Sequence, residues 1–416
     1  MITPHVIPQA GSMGHNPHAV QQTLTPQMSQ QQFLHQWPQH STVQPVTMPR
    51  DGSFAAPPTT SQAAPEVPAP TQGIADPSLS MAPYSLCTSF NQIHRRIGEF
   101  TQEITMITKL TDSKQDLAGS SSLRTLGQLT PYKLEAFKFE FKTTTGKSLH
   151  DFCMSLVAKQ DDKVKTLVAG LTLGPVEFDL YLLKSATLKN ADDDLIHLFI
   201  GRDQTDVRYL NQLWKNQTGS TLTASIASFT SSKNLKYALQ ICTANHRDEP
   251  TKPVNEALVH RDVSRLQDLL QMTFTSTARG GYSVSTGVLD LILHRDSPTI
   301  QRMALYFETA TGYKLDEKIR KSTLDDMTKK IAVHAVRTAT DPTYRDLMSI
   351  KDVISKPGKE MDLAIRMCRA HWYDAHWRQI QAAAVGILGW EIREKVGKMP
   401  KGLFKDLLMA MMTPSS

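Results

Sequence analysis

The chain has 416 residues, 40% of them hydrophobic, and a formal net charge of +6. That is enough for one large domain or several ordinary ones with a sizeable core. Its four cysteines, Cys87, Cys153, Cys242 and Cys368, are far apart and form no CxxC pair, which excludes a disulfide framework or a zinc site of ordinary spacing.

Residues 1–83 are rich in Pro, Gln, Ser and Thr and carry only Arg50, Asp51, Glu66 and Asp76 as charges. Such a segment buries too little apolar surface to offset chain entropy, so a disordered tail is expected. "FLHQWPQH" (33–40) offers Phe33, Leu34 and Trp37 as anchors for a docking partner, against the plainer reading of a featureless tail. With one basic and three acidic residues in the tail, the remainder carries +8. The N-terminus has no basic region followed by an apolar run, and the longest apolar run, "AAAVGILGW" (382–390), is too short to span a bilayer. A soluble cytosolic protein is expected.

From Tyr84 onward apolar residues recur at helical spacing, as in "VRYLNQLW" (207–214) and "VSRLQDLLQMTF" (263–274), and no long stretch alternates with period two. The spacing predicts an all-helical fold. Thr130-Pro131 and Ser297-Pro298 each offer a hydroxyl cap before a proline at a helix start. "DSKQDLAGSSSL" (112–123) reads as a loop insertion. Asp192-Asp193-Asp194 stands before an apolar run, where three carboxylates suit either a metal or the positive end of a helix dipole; the helix start is favoured.

Four stretches repeat one pattern: "TGKSLHDFC" (145–153), "TGSTLTASI" (218–226), "TGYKLDEKI" (311–319) and "LGWEIREKV" (388–396). Each has a glycine, an aliphatic residue three later and an apolar residue seven later. The glycines, Gly146, Gly219, Gly312 and Gly389, lie 73, 93 and 77 residues apart. Phe141, Trp214 and Phe307 stand five before three of them, where a helix is expected to end. Arg202 and Arg295, each followed by Asp, lie 17 before their glycine, and Arg369 is a looser third copy.

A four-fold repeat with "LI-x-L-x-x-R-D" and then "TG-x-x-L" resembles the annexin family. "GPVEFDLYLLKSA" (174–186) and "VNEALVHRDVSRLQDLL" (254–270) are similar to the beginnings of that family's second and third repeats. The resemblance covers about residues 84–416. It implies an all-α fold of four five-helix repeats forming a curved disc, after a disordered tail. The expected divisions are 1–83 for the tail and 84–171, 172–249, 250–345 and 346–416 for the repeats.

The resemblance also implies binding to anionic phospholipid through calcium. Carbonyls of a Gly-x-Gly-Thr loop between the first two helices of a repeat hold the ion, completed by an Asp or Glu ten residues after the repeat glycine. Here the loops are degraded: Gly98-Glu99-Phe100-Thr101, Leu188-Lys189-Asn190-Ala191, Gly280-Gly281-Tyr282-Ser283, and Lys356-Pro357-Gly358-Lys359 followed by Glu360. The carboxylate positions hold Leu156, Phe229, Ser322 and Met399; Asp161, Asp162, Asp325 and Asp326 substitute only if the register slips. No intact metal site is expected. The vestigial candidates are Gly98, Thr101, Gly280, Gly281, Ser283, Gly358 and Glu360, with calcium at low affinity the one candidate cofactor.

The expected function is peripheral binding to anionic membranes in the cytoplasm, with calcium dependence weak or lost. The alternative is a calcium-independent scaffold that recruits protein partners through residues 1–83. "EKVGKMPKGLFKDLLMAMM" (394–412) is weighed as a lipid-facing segment, against the favoured reading of Leu407, Leu408 and Met411 as core with Lys395, Lys398, Lys401 and Lys405 as a solvated rim. His371, Asp374 and His376 form the most reactive-looking cluster, but they lack ligand spacing and no nucleophile, phosphate-loop or dinucleotide motif accompanies them. No enzyme activity and no nucleic-acid partner are expected.

Overall fold

A computed structural model of the chain describes residues 98, 100–111, 121–185, 192–244, 253–271 and 283–412. They all belong to one compact unit, Gly73–Ser416. The tail expectation, 1–83, lies outside the described residues. Among the described residues every regular element is a helix and no strand occurs.

The first repeat shows α1 (Thr101–Thr108), a short α2 (Ser121–Arg124), α3 (Pro131–Thr145), α4 (Leu149–Leu156) and α5 (Asp162–Leu173). Next come α6 (Pro175–Lys184), α7 (Asp192–Phe199), α8 (Gln204–Thr218), α9 (Leu222–Ser225) and α10 (Lys233–Thr243). The third set is α11 (Glu256–Gln271), α12 (Val284–Leu293), α13 (Ser297–Thr311), α14 (Leu315–Lys321) and α15 (Asp326–Thr340). The fourth is α16 (Pro342–Ile354), α17 (Glu360–His371), α18 (Asp374–Ala383), α19 (Ile392–Gly397) and α20 (Leu403–Ala410). Two expected divisions, after residues 171 and 345, fall inside α5 and α16; the helix breaks lie at Gly174 and Asp341.

The repeated pattern has a common physical basis. Gly146, Gly219, Gly312 and Gly389 take φ between 71° and 76°, the left-handed geometry that ends a helix. The threonine before three of them closes the turn. Its hydroxyl donates to the carbonyl of the aromatic residue four back, at 2.7 Å from Thr145 to Phe141 and from Thr311 to Phe307, and 2.9 Å from Thr218 to Trp214. The helices therefore run four residues beyond the aromatic residue, not to it as expected. In the fourth repeat Leu388 has no hydroxyl, and the last turn, Ala384–Leu388, widens to π geometry. The aliphatic residues three after the glycines, Leu149, Leu222, Leu315 and Ile392, are buried. So are the apolar ones seven after, Cys153, Ile226, Ile319 and Val396.

Two local expectations are corrected. The cap of α13 is Asp296, whose carboxylate accepts from the Thr299 amide at 2.9 Å; Ser297 is already helical. A charged acceptor suits the helix dipole better than a hydroxyl. Asp203 caps α8 in the same way. Second, the far end of the expected loop insertion folds into α2, because Leu123 and Leu126 are buried and Gly127 lies directly against Ala410 of α20.

The Arg-Asp markers build the polar centre. Arg295 pairs with Asp262 of α11 at 2.7 Å, within its own repeat. Arg202 pairs with Asp179 of α6, again within its repeat, and lies 3.6 Å from Asp206. Arg369 breaks the pattern: it crosses from α17 to bind the same Asp179 and donates to the His197 carbonyl at 3.1 Å. Asp346, its counterpart in α16, takes Arg345 and His376 instead, each within 2.8 Å. Gly201, just before Arg202, is pressed against α15: a Cβ there would meet Thr338 Cγ2 at 2.5 Å, and its φ is +79°.

Beside this network His197 of α7 and His334 of α15 meet edge to face, centroids 4.6 Å apart. Burial holds both imidazoles well below their usual range, reinforced by Arg366, Arg345 and Arg369 around the pair. Nearby Asp194 is pushed up to about 6, first by burial and then by Asp362.

Asp179→Asn is expected to cost about 3–5 kcal/mol, since it removes the carboxylate that two buried guanidinium groups share, Arg202 still facing Asp206 at 3.6 Å; a urea midpoint that does not fall would refute this. The histidines set a pH dependence. Native His197 and His334 stay neutral while the unfolded chain protonates near pH ~6.5, so stability falls as pH drops below that value. Asp194 acts oppositely, because the native state takes its proton first, and it offsets part of the loss below pH 6. His334→Phe is expected to flatten the slope of stability between about pH 6.5 and 5 by roughly 1.4 kcal/mol per pH unit, measured by urea titration at a series of pH values.

Candidate functional site

The loops that would hold calcium precede α1, α7, α12 and α17, and the turns that would supply the carboxylate follow α4, the α9 segment, α14 and α19. Two of these pairs are joined by hydrogen bonds among the described residues, Thr230 to Asp192 at the start of α7 and Ser285 near the start of α12 to Asp325.

In the first loop Gly98 has φ +98° and its carbonyl accepts from the Thr101 hydroxyl at 3.2 Å. Phe100 turns inward, 5% exposed, and packs edge-on against Phe137 with centroids 5.2 Å apart. Its amide donates to both oxygens of Glu140 at 3.4 Å. Glu140 is a buried carboxylate that sequence reasoning missed. Its signal was a lone acid between Phe139 and Phe141 in "FKFEFK". Across the loop, Leu156 packs on the core, and Asp161 and Asp162 are exposed and paired with Lys163 and Lys165.

At the second site the loop residues Leu188 to Ala191 lie outside the described residues. Asp192, Asp193 and Asp194 form the first turn of α7, as the helix-start reading expected. They diverge rather than converge. Asp192 accepts from Thr230 at 2.5 Å, Asp193 pairs with Lys330 at 2.8 Å, and Asp194 faces Arg366 at 3.9 Å.

At the third site Gly280 and Gly281 lie outside the described residues. Ser283 is the cap of α12, accepting from the Thr286 amide at 3.1 Å. Asp325 caps α15 and accepts four hydrogen bonds: from Ser285 Oγ at 2.7 Å, Asn234 Nδ2 at 2.9 Å, Thr328 Oγ1 at 2.7 Å and the Thr328 amide at 2.9 Å. Burial alone would raise its pKa; these donors outweigh burial and hold the carboxyl below its usual range. Ser285 stands forty residues before Asp325, so a hydroxyl donor joins the first turn of α12 to the cap of α15.

At the fourth site Gly358 has φ +77°, Lys359 pairs with Asp362 at 2.8 Å, and Glu360 opens α17. In the turn after α19 the Lys405 ammonium donates to the Gly397 carbonyl and to the Met399 carbonyl at 3.2 Å. A cation of the chain's own occupies that turn.

Calcium takes six to eight oxygens, with carboxylates supplying most of the charge. Among the described residues no cluster of three or more His, Cys, Asp or Glu could hold a metal ion. The Gly98 carbonyl and the Asp325 carboxylate accept from donors of the same chain, and the second loop and the glycines of the third lie outside the described residues.

The other sequence candidates separate. His376 binds Asp346, Asp374 binds Arg378 at 2.5 Å, and His371 is half-buried with its ring nitrogens enclosed and its pKa lowered to about 4, mainly by desolvation. The three do not share a site. Trp372 and Trp377 pack in the core, and the Trp377 indole donates to the Met411 carbonyl at 3.0 Å. Leu407, Leu408 and Met411 are buried, so the C-terminal stretch is core with a lysine rim, as the favoured reading had it.

No family model matches the chain. It is 31% identical to annexin A11 of Oryctolagus cuniculus over 144 residues, 34% of this chain and 27% of that protein. It is 22% identical to annexin A6 of Gallus gallus over 179 residues, 42% of this chain and 26% of that protein. The chain thus spans about a quarter of the length of these curated relatives. Among solved structures, a point mutant of annexin A8 with an intact N-terminus superposes with a TM-score of 0.64 at 15% identity, covering 76% of this chain and 94% of that one. Calcium-bound alpha-14 giardin gives 0.62 at 14% identity, covering 75% and 100%. These likenesses fix the fold. Repeat order, curated relatives and shared fold together support an annexin-family assignment for this chain.

Proposed function

We propose that this chain binds anionic phospholipid surfaces peripherally, as the annexin resemblance implies, with calcium dependence weak or lost. The observation that carries this reading is Asp325, the carboxylate best placed to complete a calcium site, already saturated by Ser285, Asn234 and Thr328. An ion there must displace several hydrogen bonds to a charged group, each about 1.5–3 kcal/mol. Gly98, Thr101, Gly280, Gly281, Ser283, Gly358 and Glu360 are then remnants of loops that no longer grip an ion.

What replaces calcium in this reading is fixed positive charge. Lys356 stands exposed in the loop before α17, and Lys401 is exposed in the turn before α20. A lysine near an anionic surface contributes about 1 kcal/mol, falling off within a Debye length. Ammonium groups in the loop region would meet lipid phosphate directly, where the resemblance puts an ion bridge.

Sedimentation with phosphatidylserine vesicles tests this. Binding of the full chain is expected to be equal, within about twofold, in chelator and in millimolar calcium, and to weaken at least about tenfold in Lys356→Glu combined with Lys401→Glu. Absence of binding in both conditions would remove the membrane reading and favour the protein scaffold acting through residues 1–83. Calorimetric titration with calcium is expected to show no saturation below the millimolar range; a submillimolar transition would overturn the loss of the sites.

A further inference from the structure

Apart from the loops, a cleft of about 390 Å³ opens between the first and fourth repeats. That volume is in the range of small-ligand sites. Arg124 at the end of α2 and Gln128 in the turn after it form one wall. Arg393 of α19 and Lys405, Asp406 and Met409 of α20 form the other. Three cations face one carboxylate. The segments that bring them are far apart in sequence and are joined by the docking of Leu123, Leu126 and Gly127 onto α20.

The charges in the cleft are unequally committed. Lys405 is fixed by the carbonyls of Gly397 and Met399, so its ammonium is oriented without being neutralised. Arg124 pairs with Asp406 at 3.3 Å, but its side chain is 48% exposed, and pairs of that kind contribute little. Arg393 is exposed and makes no ion pair among the described residues. The cleft therefore holds two positive charges beyond its own carboxylate. Mutual repulsion of such converging cations is relieved by an anion of matching charge. A phosphate monoester carries about −1.5 to −2 at neutral pH and presents three acceptor oxygens. The planar forks of two arginines match those oxygens bidentately, which a single carboxylate cannot exploit to the same extent. The Gln128 amide adds a neutral donor, and Met409 gives an apolar wall for whatever carries the phosphate.

We propose that this cleft between the first and fourth repeats binds a phosphate monoester through Arg393, Arg124 and Lys405. The site shares Lys405 with the fourth turn but uses none of Lys356, Lys359 or Lys401, and the proposal does not rest on membrane binding through those lysines. Its ligand is either a phosphorylated lipid headgroup or a free phosphate ester.

Calorimetric titration of the full chain in calcium-free buffer with soluble inositol trisphosphate, and with inorganic phosphate as a minimal probe, tests it. Saturable binding of the trisphosphate is expected, weakened at least about tenfold by Arg393→Gln and further by adding Arg124→Gln. Arg378→Gln, an exposed arginine on α18, controls for general charge and is expected to leave the affinity unchanged; melting temperatures verify that the variants fold. Vesicles separate the two sources. If Arg393→Gln loses binding to vesicles containing phosphatidylinositol bisphosphate but keeps binding to phosphatidylserine vesicles, the ligand is a lipid headgroup. If only the soluble probe is lost, it is a free ester. No saturable binding by the unmodified chain, or equal affinity in the double variant and the Arg378→Gln control, overturns the proposal. Retained phosphatidylserine binding in that event would leave the loop-based reading standing.

Discussion

The structure depends on a single buried carboxylate shared by two arginines. Asp179 accepts from Arg202 within its own repeat and from Arg369 of the fourth, so the second and fourth repeats are joined through one group that no water screens. A buried pair gains little over apolar packing, but breaking it is costly because the surviving charge has nowhere to go. The arrangement specifies register: only when α6, α7 and α17 meet correctly are both guanidinium groups neutralised. Gly201 beside Arg202 enforces the same fit sterically, because nothing larger allows the turn to approach Thr338.

The loops show the same principle turned outward. A calcium site is a set of oxygens whose mutual repulsion an ion cancels. In this chain the cancellation is internal. The Thr101 hydroxyl takes the Gly98 carbonyl, Ser285 and Asn234 take Asp325, and the Lys405 ammonium takes the carbonyls of the turn before α20. The first and last of these contacts lie within one loop or turn, and only Ser285 and Asn234 reach Asp325 from other helices.

Several of these features were legible in the chain and several were not. The glycine turns, the buried residues three and seven positions after them, and the helix start at Asp192 follow from local rules of dihedral preference and helical period. Thr145, Thr218 and Thr311 were visible as a motif, but their role in closing the turn was not. Asp296 as a cap was misread as Ser297 because both residue types cap well and only geometry chooses between them. Glu140 left a faint trace as an acid among aromatics. Asn234 and Ser285 left none, since their meaning depends on a carboxylate in a different helix.

The sequence by itself determined the helical class, the four-fold repeat and the turn positions, because these depend on residues within a few turns of one another. Only the tertiary structure decided that Arg369 leaves Asp346 for Asp179, that Ser285 closes on Asp325, and that Arg124, Arg393 and Lys405 share a cleft. Partner choice among like-charged or hydrogen-bonding groups is a matter of distance after packing, and a linear order of residues does not contain that distance.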